Sequence, residues 1–248
     1  MGASDSSVRR DWNELAVLDP FWAILSDNTK QFDRWSQNEF FQTGTAEIAA
    51  VMKVCNELGY PSQRQRSLDF GCGVGRLTRA LRNYFPSCVG VDISEPMIVR
   101  ARELNPGCDF KLLGKDGLKI FPDRHFDMIY SNIVLQHQPS TVDVRTCIAD
   151  FLRILARDGL LVFQLPHYIP LRYRLQPRRR FYHALRAMGV RSNVLYNKLR
   201  LNPIRMLSIP ENDVLAIIEA GGGIPLRVIS DQHGGPHIQS RTYYVTRR

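Results

Sequence analysis

The run RSLDFGCGVGRLTRAL, residues 66–81, decides how the rest of the chain is read. SLDFG reads as a short apolar strand and RLTRALRNYF, from Arg76, as a helix, so the glycines at 71, 73 and 75 fall in the turn between them. Glycine in such a turn removes side chains that would keep a ligand off the backbone, and it permits positive φ. The spacing is GxGxG with Arg76 opening the helix, which departs from the GxGxxG of nicotinamide and flavin binders. A pyrophosphate binder wants exposed amides and no nearby negative charge, yet Asp69 stands two residues ahead of the first glycine. A carboxylate there suits a ligand that carries an amino group or a sulfonium.

The alternation continues downstream. CVGVD reads as the second strand, EPMIVRARELN as a helix, DFKLL as the third strand and FDMIYSN as the fourth. STVDVRTCIADFLRIL follows as a long helix, and GLLVFQLP as the fifth strand. Repeated β-α-β units of this length require a parallel sheet with helices on both faces, with ligands bound beyond the carboxyl ends of the strands. ENDVLAIIEAGGG then reads as a helix, followed by strands near 224–230 and 241–247. Residues 1–45 hold all three tryptophans and read as an N-terminal layer of short helices with irregular joins. A helix is expected at about 44–58, where Ile48, Val51, Met52 and Cys55 recur at helical spacing and Gly59-Tyr60-Pro61 stops it.

Two more acids occupy strand ends. Asp92, in VGVDIS, can accept hydrogen bonds from both hydroxyls of a ribose and repels a 2′-phosphate. Asp116, in KDGL after the third strand, can accept from an exocyclic amine. Taken together, LDFGCGVGR, GVDIS, KDG and FDMIYSNIVLQHQP resemble the successive motifs of class I S-adenosylmethionine-dependent methyltransferases over roughly residues 64–166. The resemblance implies S-adenosyl-L-methionine as cofactor and S-adenosyl-L-homocysteine as product. It places Asp69 near the amino end of the cofactor methionine, Gly71 and Gly73 along the methionine moiety, and Asp92 on the ribose. Ile93 would pack on adenine, Asp116 with Gly117 and Leu118 would cap it, and Ser131 with Asn132 would lie beneath the methionine portion. Cys72, Gly75, Arg76 and Met97 complete the implied cofactor set. The implied fold is a doubly wound, Rossmann-like α/β seven-stranded sheet, mostly parallel, with the last strand inserted antiparallel.

The acceptor is read from the fourth strand. Amino methylases of nucleic acids and glutamine methylases usually show Asn or Asp followed by Pro-Pro and an aromatic there, whereas this chain has Ser131-Asn132-Ile133-Val134. VLQHQP resembles the corresponding segment of small-molecule methyltransferases. His137, just past that strand, is the candidate general base toward a hydroxyl, Gln136 a candidate substrate contact, and His167, after the fifth strand, a second histidine on the ligand side.

The formal net charge of +9 belongs to one segment. Between Pro166 and Ser208 lie ten Lys or Arg and no acid, and the remainder of the chain carries 23 basic and 24 acidic residues. RRRFYHALRAMG is amphipathic, with Phe181, Ala184, Leu185 and Met188 on one face, and NVLYNKLRLNPIRML offers a second stripe through Val194, Leu195 and Leu199. The favoured reading is a lid whose Arg178, Arg179 and Arg180 bind a carboxylate or phosphate of a small acceptor. The alternatives are a lipid-linked substrate at an anionic membrane, a nucleic-acid substrate, which the near-neutral remainder disfavours, and a catalytically silent partner subunit. The five cysteines are scattered without a CxxC pair, so no disulfide framework or metal site is expected and the compartment is read as cytoplasmic. One domain spans 1–248: an N-terminal helical cap (1–60), a cofactor-binding core (64–166), a basic lid (167–208) and a C-terminal helix with strands (209–248). A monomer or homodimer acting on an acidic or sugar-like acceptor, at oxygen or nitrogen, fits this reading.

Overall fold

The computed structural model describes residues 3–27, 29–235 and 237–247. Seven strands form one sheet: β1 (Arg66–Phe70), β2 (Ser87–Asp92), β3 (Asp109–Leu112), β4 (Phe126–Ser131), β5 (Leu155–Tyr168), β6 (Ile224–Asp231) and β7 (Gln239–Thr246). Their order is β3-β2-β1-β4-β5-β7-β6. β1 through β5 pair in parallel, and β7 inserts antiparallel between β5 and β6. The order reverses direction between β1 and β4, and a crevice must open beyond the carboxyl ends of those two strands.

β1, β2, β4, β5 and β7 are largely buried on both faces, so their side chains sort by alternation into two cores. Leu68, Phe70, Ile129, Leu161 and Phe163 pack with Ile148 and Phe151 of α6 (Thr141–Ile154) and with Val214 and Ile218 of α10 (Glu211–Ala220). Met128, Tyr130, Leu160 and Val162 pack on the other face with Ile48, Met52 and Cys55 of α3 (Gln37–Leu58) and Leu77 and Leu81 of α4 (Arg76–Leu81). Burying each such large side chain is worth about 1.5–3 kcal/mol. α5 (Glu95–Leu104) connects β2 to β3.

The N-terminal layer departs from expectation. It holds one 16-residue helix, α1 (Ala3–Leu18), and a short α2 (Pro20–Ile24), and α3 begins at Gln37 instead of 44. Ser36 caps α3 by accepting a hydrogen bond from the Glu39 amide at 3.3 Å, so a capping signal, not apolar spacing, sets the start. The layer is pinned by the buried carboxylate of Asp19, which accepts from the amides of Trp22, Phe32 and Asp33 and from the Tyr196 hydroxyl at 2.8 Å.

The segment after β5 carries α7 (Leu171–Arg174), α8 (Pro177–Ala187) and α9 (Ser192–Asn197). α8 sits the opposite way round from what docking by an apolar stripe requires. Tyr182 is buried and Phe181, Ala184 and Met188 are exposed. Ion pairs explain the inversion: the Tyr182 hydroxyl and the Arg186 guanidinium both donate to Glu14 of α1 at 2.5 Å, and Arg179 and His183 face Asp11 at 4.0 and 3.7 Å. Burial lifts the Asp11 carboxyl to about 6, with Arg179 opposing.

Candidate active site

The crevice between β1 and β4 contains a cavity of about 120 Å³, partly open to solvent. Its floor is the turn after β1. Gly71 and Gly73 have φ of 77° and 52°, and a Cβ there would come within 2.3 Å of Val134 and 2.4 Å of Ile24, both of which line the cavity. Only glycine leaves this space open. Its roof comes from the N-terminal layer, through Val8, Trp12, Ala23 and Ile24.

At the tip of β2, Asp92 accepts from the Gly73 amide at 2.9 Å and the Ser94 amide at 2.8 Å, one on each carboxylate oxygen. Each oxygen keeps a further lone pair for a ligand hydroxyl. Burial raises its carboxyl above the ordinary carboxylate range, and those amides and Arg9 oppose the shift. Arg9, on α1, donates to the carbonyls of Ile93 and Leu113, tying the roof to the ends of β2 and β3.

A buried network closes another side. Glu47 of α3 accepts from the Tyr130 hydroxyl at 2.8 Å and the Asn132 amide at 2.7 Å, and it pairs with Arg76 at 2.8 Å. Arg76 Nε and Asn132 Oδ1 are buried without partners, and both residues line the cavity. A free donor and a free acceptor of this kind match the carboxylate and ammonium ends of an amino acid.

His137 lies at the far end, its ring 5.2 Å from that of Trp12. Its Nδ1 is 2.5 Å from the Arg205 carbonyl, and only an N–H can satisfy a carbonyl, so Nε2 carries the lone pair. The Gln136 amide, 3.3 Å from Nε2, donates to it, Gln136 accepts from Gln164, and Gln164 accepts from the Ile133 amide. Four bonds thus run in one direction from strand 4 to the segment after α9. Burial pushes the His137 imidazole down to about 4, against the Arg205 carbonyl, so the ring is neutral at pH 7. Ile133 has φ of 59°, a left-handed conformation that costs a β-branched residue about 1–3 kcal/mol. The Gln164 contact holds it there, between Asn132 and Val134 of the cavity wall.

Of the residues singled out in the sequence, Gly71, Cys72, Gly73, Arg76, Asp92, Ile93, Met97, Asn132 and His137 line this one cavity. The others lie outside its lining. Asp69 is buried beneath the turn, accepting from Thr78 at 2.6 Å, and burial raises it to about 7. Gly75 packs against Asn105 and Phe110, Ser131 donates to the Phe70 carbonyl, and Leu118 belongs to the core. Asp116 is exposed, Gly117 is half-buried, Gln136 is buried beside His137 without lining the cavity, and His167 lies within β5 rather than after it and does not line the cavity. Arg178 and Arg180 are exposed, and Arg179 is engaged with Asp11. Glu47, Arg9, Trp12 and Arg205 were not singled out by sequence.

Residues 68–163 match the family described as "Methyltransferase domain". Curated relatives include the trans-aconitate 2-methyltransferases of Variovorax paradoxus, 39% identical over 104 residues (41% of this chain, 38% of that protein), and of Klebsiella pneumoniae, 33% identical over 134 residues (53% and 51%). The chain spans about half or less of the length of these relatives. Among solved structures, magnesium protoporphyrin IX methyltransferase from Synechocystis PCC 6803 superposes with a TM-score of 0.63 at 19% identity, covering 99% of this chain and all of that one. A protein from Pyrococcus horikoshii OT3 gives 0.59 at 21% identity, over 87% and 94%. These likenesses establish the fold.

Proposed function

We propose that this chain, whose residues 68–163 form a methyltransferase domain of the class I fold, moves a methyl group from S-adenosylmethionine to an oxygen of a small acidic molecule. The observation that carries the reading is a single cavity lined by the glycine turn, Asp92, the unpartnered Arg76 Nε and Asn132 Oδ1, and His137. The residues fit the cofactor: Asp92 can take the ribose diol, Ile93 and Leu113 offer apolar contact for the base, and Arg76 with Asn132 complement the amino-acid end. Bound there, S-adenosylmethionine supplies an electrophilic methyl on a sulfonium. Everything else falls to the protein. Trp12, Val8 and Ile24 exclude water, which strips the nucleophile of its solvent shell and raises its reactivity.

An acidic acceptor is supported by the named substrate of the curated relatives, trans-aconitate, and by the state of His137. A base held near pKa 4 is poorly matched to deprotonating a hydroxyl at pH 7, whereas a carboxylate attacks without losing a proton. His137 then packs on Trp12 in the cavity wall and fixes the segment at Arg205, its Nε2 lone pair being taken by the Gln136 amide. We place the reaction in a reducing cytoplasm, as the five scattered cysteines without a CxxC pair suggest.

Calorimetric titration with S-adenosylmethionine, S-adenosylhomocysteine and NAD tests the cofactor. Micromolar binding of both sulfur ligands but not NAD is expected, weakened by about tenfold or more in Asp92→Ala, or about 1.4 kcal/mol. A panel of small di- and tricarboxylates, read by S-adenosylhomocysteine release, then tests the acceptor. Folded wild type that binds neither sulfur ligand overturns the reading.

A further inference from the structure

We propose that the outward face of α8, with the chain on either side of it, is a docking surface for an anionic lipid bilayer. Helices on globular proteins turn their apolar face inward, and α8 does the reverse. Its inward face is polar, held by Tyr182 and Arg186 on Glu14 and by Arg179 and His183 near Asp11. Its outward face carries Phe181, 65% exposed, and Met188, 79% exposed, at a spacing of two helical turns. Arg178 and Arg180 flank that stripe on either side and are exposed.

The pattern extends beyond the helix. Of twelve large hydrophobic side chains exposed among the described residues, seven lie between Tyr168 and Leu199. The same region holds no acid, and Arg174, Arg178, Arg180, Arg191 and Lys198 are exposed without an ion pair among the described residues. Exposed apolar side chains set among unpaired cations match a surface with anionic headgroups over an acyl interior. A second copy of the chain matches it poorly, because an isologous contact would bring the same arginines against each other. A nucleic acid would use the cations and leave the apolar stripe in water. No helix among the described residues is long and apolar enough to cross a membrane, so the contact is peripheral.

The test is flotation of the full chain with vesicles of phosphatidylcholine alone or with about 30% phosphatidylserine, together with sedimentation velocity without lipid. Retention on the anionic vesicles should exceed that on neutral ones by about tenfold and fall with salt over the range where screening sets in. F181S/M188S, on exposed positions, should lose retention about tenfold with an unchanged circular dichroism spectrum, and R178E/R180E should lose it too. Absence of retention overturns the proposal, as does retention that survives F181S/M188S, which would be charge attraction alone. So does a wild-type dimer that F181S/M188S splits, because a second copy would then be the occupant. Retention does not depend on methyl transfer, so either proposal can fail without the other.

Discussion

Glu47→Ala is expected to lower the free energy of unfolding by about 3–5 kcal/mol, the usual result of stripping the partner from a buried charge. Arg76 is 2% exposed, and its 2.8 Å pair with Glu47 is its one ionic contact among the described residues. Its other bond, to Thr43 at 3.3 Å, is neutral, and its Nε has no partner. The same change strands the Tyr130 hydroxyl and the Asn132 amide, both of which donate to Glu47. Burial is the largest cause of the Tyr130 phenol lying far above its ordinary range, and it persists without Glu47. Urea unfolding of wild type, Glu47→Ala and Glu47→Gln measures the effect, with Gln intermediate because it keeps an acceptor oxygen but no charge. E47M/R76M separates charge from packing: it should be less destabilised than Glu47→Ala, since no unpaired charge remains. A loss below about 1 kcal/mol in Glu47→Ala would mean that water screens the pair, as it does for surface ion pairs. Cofactor affinity should fall in Glu47→Ala as well, because Arg76 and Asn132 lose the group that aims them into the cavity.

This network also marks where sequence reading stops. The β-α-β alternation, the glycine turn and Asp92 were legible because each is local: period, turn chemistry and strand-end position are properties of a few consecutive residues. Glu47 stands about thirty residues before Arg76 and looks like any surface carboxylate. A signal did exist in Gly44, a glycine inside a helix that would prefer alanine by about 1 kcal/mol. A Cβ there would come within 2.6 Å of the Arg76 carbonyl, so the glycine marks where α3 presses on α4 and brings Glu47 to the guanidinium. The length of α1 was not legible: residues 1–45 read as short helices, although Val8, Trp12, Leu15 and Ala16 recur at helical spacing. Nor was the orientation of α8. Periodicity says which residues share a face, and here the inward face was chosen by Asp11 and Glu14, more than 160 residues away.

The second large effect concerns the one imidazole that the cavity holds neutral. His137 titrates near 4 in the folded chain and near 6.5 when unfolded. Between those values the unfolded chain binds more protons, so the stability contributed by the neutral ring is full above pH 6.5 and is lost as pH falls toward 4. The shift corresponds to about 3 kcal/mol. Buried acids run the other way: Asp11 near 6 and Asp69 near 7 lie above the ordinary 3.8, and Asp92 is raised too, so the contributions of Asp11 and Asp69 are full at low pH and are lost as pH rises through 6 and 7. The unfolding curve of the wild type alone therefore mixes opposing slopes, and the informative quantity is its difference from His137→Asn. Asparagine has an amide that can still donate toward the Arg205 carbonyl but nothing that titrates. The difference in unfolding free energy, wild type minus variant, should shrink by about 3 kcal/mol between pH 7 and pH 4. A difference that stays constant would mean that the ring is solvated and free to charge, which contradicts the relay from Ile133 to Arg205. The same variant bears on the chemistry. If the acceptor attacks as a carboxylate, His137→Asn should raise KM more than it lowers kcat at pH 7. The loss of a required base would instead lower kcat by about 10²–10⁴ with KM little changed.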